Sequence, residues 1–102
     1  MSKDQLNSEL NLIKSDYTVF LNFFKAKYPI FHNSNVFFRD VQFCVQRYLE
    51  KKGIYVSNEE ASEIAEGLKN FFEQEGIFKK INDKVWRLEY PDFVTAVPGD
   101  PL

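Results

Sequence analysis

The chain has 102 residues, 44% hydrophobic and 17% aromatic, which predicts a single domain able to bury a core of its own and excludes a second. Thirteen Lys and Arg stand against fifteen Asp and Glu, unevenly placed: residues 1–53 hold eight cations and five anions, residues 54–102 five and ten. Halves of about +3 and −5 exclude general coating of nucleic acid and leave scope only for a local basic patch.

From Leu6 the apolar residues recur at Leu10, Ile13, Tyr17, Phe20 and Phe24, alternating steps of four and three that predict one helix of about six turns. Lys25 and Lys27 suit its C-terminal dipole, and Pro29 stops it. The same stripe makes the Leu6–Phe24 helix a candidate surface for self-association, although it holds too few heptads for a dedicated coiled coil. Tyr28-Pro29-Ile30-Phe31-His32 is β-prone and could form a short strand. Asn33-Ser34-Asn35 then offers caps for a second helix running through Val36, Phe37, Val41, Cys44, Val45, Tyr48 and Leu49 to Lys51-Lys52-Gly53.

Ser57 and Glu60 form an S-x-x-E capping box that opens a third helix, whose apolar face is Ala61, Ile64, Ala65, Leu68, Phe71 and Phe72 and whose stop is Gly76. Gly67 inside this helix costs about 1 kcal/mol relative to Ala, which points to a close helix approach. Ile77–Ile81 and Lys84–Leu88 flank Asn82-Asp83 and predict a hairpin. Pro91, Pro98, Gly99 and Pro101 break regular structure, so the domain is placed at residues 3–90, with a loose tail at 91–102 in which Phe93–Val97 could add a strand.

Chemistry is scarce. Zinc needs clustered Cys and His, whereas the chain has one of each, Cys44 and His32. Cys44 falls on the apolar stripe of the second helix and reads as a packed thiol in a reducing compartment; His32 reads as a turn residue or a partly buried ring. The four glycines are isolated, so no phosphate loop is present. The expectation is a protein that is no enzyme and needs no cofactor or metal. A polar N-terminus and the lack of any apolar run near ~18 residues predict a soluble cytoplasmic protein, with a membrane an improbable partner.

Two surface features remain. Glu59, Glu63 and Glu66, at i, i+4 and i+7, share one face of the third helix and form a candidate protein-docking face. Lys79, Lys80, Lys84 and Arg87 surround the hairpin turn and form a candidate phosphate-contacting wing.

The run from Glu59-Glu60-Ala61 and Leu68 through Glu75-Gly76-Ile77-Phe78 to Trp86-Arg87-Leu88 resembles the end of winged helix-turn-helix domains. Phe31–Val36 and Leu88-Glu89-Tyr90 are similar to the corresponding stretches of DEP domains within that superfamily. The DEP helix commonly carries an Asp-Trp pair where this chain has Arg39-Asp40-Val41-Gln42-Phe43. The resemblance implies an α+β, mostly helical fold of three helices and a C-terminal β-hairpin, serving as a binding module for DNA, protein or membrane surfaces. An acidic helix in the groove-reading position opposes a polyanion. The expected role is therefore a noncatalytic protein-interaction module; the alternatives are a DNA-binding regulator that uses its wing and a DEP-like adaptor.

Overall fold

The structure, a computed structural model, describes residues 3–93. The first apolar stripe does not form one helix. It divides at Asp16 into α1 (Lys3–Ser15) and α2 (Tyr17–Lys27). Ser15 Oγ donates to the Leu12 carbonyl at 2.9 Å, the Asp16 amide donates to Ile13 at 3.2 Å, and Asp16 leaves the helical region at φ −120°, ψ 39°. Ser and Asp compete locally for helical backbone groups. The break has a packing consequence, because α1 lies on α4 (Asn58–Gln74) while α2 lies on α3 (Phe38–Lys51). Ile13, Phe20, Leu21 and Phe24 are all buried, so the stripe faces the molecule's own core.

The possible strand at Tyr28–His32 does not form. That segment is a connection, closed by a turn in which Ser34 Oγ accepts from the Phe31 amide at 2.9 Å and Asn33 adopts φ 74°, a left-handed conformation that Asn tolerates. The strand, β1, comes later at Asn35–Phe37, where a helix start was expected. No side chain caps α3. Instead the first helical amide, of Phe38, donates to the Lys84 carbonyl at 3.0 Å, so the hairpin turn satisfies a donor that the sequence leaves open.

The third helical pattern forms as expected. Glu60 donates its amide to Ser57 Oγ at 3.1 Å and returns a carboxylate oxygen to the Ser57 amide at 2.8 Å, giving both halves of the capping box. At the helix ends Gly53 and Gly76 take φ 78° and 75°. Each allows the following residue to close back on the helix, Ile54 onto Leu49 and Ile77 onto Phe72, both at 2.9 Å.

Strands β2 (Phe78–Asn82) and β3 (Val85–Leu88) make the hairpin, and β1 pairs with β3 to give an antiparallel sheet in the order β1-β3-β2. An irregularity between Lys80 and Asn82 shifts the turn one residue along from the predicted Asn82-Asp83, and Asn82 Oδ1 stabilises it by accepting from the Lys84 amide at 2.9 Å. The described residues therefore form an α+β, mostly helical fold with four α-helices and three strands, one helix and one strand more than predicted.

Aromatic rings connect the layers. Phe20 stacks on Phe72 with centroids 6.4 Å apart, Phe72 meets Phe78 at 4.8 Å, and Phe78 stacks on Trp86 at 6.0 Å. Such pairs add about 0.5–1.5 kcal/mol each beyond simple burial. The indole nitrogen of Trp86 donates to Glu73 at 2.8 Å, joining the hairpin to α4 by a charge-assisted bond. Past Tyr90, a 3-10 turn at Pro91–Phe93 returns Phe93 to the core. The tail beyond it, including the possible strand ending at Val97, lies outside the described residues.

Candidate functional site

The capping box fixes the start and the rotation of α4, and the rotation decides what the helix shows to solvent. Ala61, Ile64, Ala65, Leu68 and Phe72 point inward. Glu59, Glu63 and Glu66 are exposed on the opposite face, as their spacing dictates. Glu66 is engaged by Lys69 at 3.0 Å, whereas Glu59 and Glu63 form no ion pair among the described residues. On one flank α1 closes over Gly67, where Leu10 lies so near that an added Cβ would fall 2.5 Å from its Cδ2. The close approach expected of Gly67 is present.

The structure brings two of the four wing cations together and engages the other two locally. Lys79 and Arg87 lie opposite each other in the β2–β3 register. Lys80 is held by Asp83 at 3.2 Å. Lys84, in the turn, places its ammonium 5.1 Å from the centroid of the Phe38 ring. Lys51 and Lys52 sit at the far end of α3, over Phe23 and Tyr48, and a helix of 14 residues keeps them roughly 20 Å from the wing turn. The cations therefore do not merge into one stripe.

Beside Lys84 is a feature that the sequence reading missed. An open groove of about 440 Å3 is lined by Phe37, Phe38, Arg39, Gln42, Ser62 and Lys84. Arg39 and Gln42 carry it into a hollow of about 210 Å3 beside Phe43, Gln46 and Asn58. Phe37 and Phe43 are 45% and 41% exposed, unusual for such large rings. Gln42 donates to the Asn58 carbonyl and Gln46 to Asn58 Oδ1, each at 3.0 Å, so the walls of α3 and α4 are fixed relative to each other. The Arg47 guanidinium lies 4.8 Å from the Phe43 centroid and bonds to Glu50 at 3.3 Å. One signal was available in the sequence: Phe43 falls out of phase with the stripe of Val41, Cys44, Val45, Tyr48 and Leu49, on the same side as Arg39 and Gln46. The other half, Phe37 and Lys84, depends on a strand pairing between distant residues.

Cys44 and His32 are both tied into the fold. Cys44 is fully buried, and burial, helped by Asp40 and opposed by Lys27, pushes its thiol up to about 12. His32 Nδ1 accepts from the Tyr90 amide at 3.0 Å, and its own amide donates to the Phe93 carbonyl. Among the described residues no group of three or more His, Cys, Asp or Glu side chains is arranged to hold a metal ion, and no helix is long and apolar enough to cross a membrane.

No protein-family model matches the chain, and comparison with curated proteins and with solved structures returned no match.

Proposed function

We propose that this chain is a noncatalytic protein-interaction module of winged-helix type that docks a basic polypeptide surface on the outer face of α4. The element order supports the winged-helix reading: helices, a short strand, two further helices, and a hairpin whose second strand pairs with the short one. The observation that carries the binding reading is the exposed pair Glu59 and Glu63, which form no ion pair among the described residues and stand on a face of α4 that neither α1 nor the hairpin covers. A nucleic acid backbone placed there would meet carboxylates, whereas Lys and Arg side chains would find complementary charge. The DNA alternative has less support, since one wing cation is paired with Asp83 and another rests on an aromatic ring.

Selection from a displayed random dodecapeptide library tests this. Basic peptides should be enriched, and Glu59→Lys with Glu63→Lys should weaken their binding about tenfold or more. Basic peptides that bind the double variant equally well would remove α4 from the account. A random-sequence duplex bound at low salt, and lost on Lys79→Glu with Arg87→Glu, would replace this reading with the DNA one.

A further inference from the structure

The groove between α3, α4 and the hairpin turn has the opposite character to the outer face of α4. Its lining contains no carboxylate. Arg39 and Lys84 stand in its wall and neither forms an ion pair with any described residue, although Arg47, Lys69 and Lys80 each find a carboxylate nearby. A guanidinium and an ammonium beside exposed rings form a site for an anion attached to an apolar body.

The charges and rings also indicate what kind of anion. Glu59 and Glu66 lie one helical turn from Ser62, which lines the groove, so a long polyanion leaving the groove along α4 would be repelled. The rings are poor platforms for nucleobases, because Lys84 already covers Phe38 and Arg47 covers Phe43. A compact carboxylate, by contrast, gains from Lys84 and from Arg39 beside it, and an aliphatic or aromatic neighbour can fill the space along Phe37. The volume, about 440 Å3, suits one or two side chains and not a folded surface.

We infer that this groove binds a short polypeptide segment in which an Asp or Glu lies next to a large apolar side chain, the carboxylate held between Arg39 and Lys84 and the apolar group against Phe37 and Phe43. The inference rests on the polypeptide-binding reading above but uses a different surface with the opposite charge preference. The two can therefore fail separately.

The same dodecapeptide selection, carried out on the protein with Glu59→Gln and Glu63→Gln already in place, removes the acidic face without adding cations beside the groove. Peptides pairing Asp or Glu with Phe, Leu, Ile or Trp should be enriched. Arg39→Gln or Lys84→Gln should weaken the best of them about tenfold, as should changing that peptide's acids to their amides. Both positions are exposed, so the variants keep the fold, and amide shifts on titration should centre on Phe37, Arg39, Gln42, Ser62 and Lys84. No enrichment of acidic-apolar peptides, equal binding by the amide form, shifts centred elsewhere, or tighter occupation of the groove by oligothymidylate would each overturn the assignment. None of these results bears on the basic peptides that define the α4 face in the unmodified protein.

Discussion

Cys44 shows how a single position can be read in sequence yet quantified only in structure. Its phase on the α3 stripe was enough to place it inside. That it is wholly enclosed near Asp40, with its thiol pushed up to about 12, depends on the helices packed around it. This has a consequence for stability. In the unfolded chain a Cys loses its proton near pH ~8.5, while the folded thiol keeps it until about 12. Below the first value both states hold the proton and stability does not depend on this group. Above it the unfolded state binds fewer protons, so stability falls as pH rises, with a slope approaching about 1.4 kcal/mol per pH unit. Urea denaturation at intervals from about pH 7.5 to 9.5 should show the decline, and Cys44→Ala should flatten it. The window ends there because tyrosines begin to ionise near ~10 in the unfolded chain, and burial raises Tyr28, Tyr48 and Tyr90 in the folded one. An equal decline in the alanine variant would assign the effect to another group. His32 marks the limit of legibility at this scale: its bond to the Tyr90 amide spans 58 residues, and no local pattern foretells it.

Among the elements, those fixed by their own residues were legible and those fixed by distant partners were not. The capping box at Ser57 and Glu60 and the glycine ends at Gly53 and Gly76 are satisfied within one turn of the chain. β1 is different: Asn35–Phe37 is extended because Arg87, Trp86 and Val85 lie opposite it, and strand identity follows such context more than propensity. The break at Asp16 was hidden because the apolar stripe continues in phase across it, and only the separate destinations of α1 and α2 require the bend. Gly67 gives the best test of the α1 contact. Ala there gains about 1 kcal/mol of helix propensity but must push aside Leu10, a flexible and half-buried side chain, so its net effect should stay within about 1 kcal/mol. Leu cannot be accommodated by one rotamer change. It should lift α1 from α4, cost about 1–3 kcal/mol, and speed tryptic cleavage after Lys14 while α4 remains helical. Leu and Ala variants of equal stability and equal protease resistance would mean that α1 does not depend on this contact.

At the scale of the whole molecule, the mostly helical α+β class was evident from the periodicities, but the way the chain closes on itself was not. The prolines after Tyr90 read as the end of regular structure. Pro91–Phe93 instead makes a turn that brings the last described ring home. Phe93 packs edge-on against Tyr90 at 4.8 Å, receives the Lys25 ammonium over its face at 4.6 Å, and accepts the His32 amide at its carbonyl. The end of α2, the connection before β1 and the strand side of the molecule therefore meet at one residue. Removing a ring from such a closure loses its burial and leaves a cavity among three segments that cannot all collapse toward it, so Phe93→Ala should cost about 3 kcal/mol or more. Phe37→Ala deletes the same group from a half-open groove wall and should stay within about 0.5 kcal/mol. Guanidinium denaturation of the two variants under one condition compares them directly. If they shift the midpoint equally, Phe93 is not part of the core, and the fold is complete at Tyr90 as the prolines first suggested.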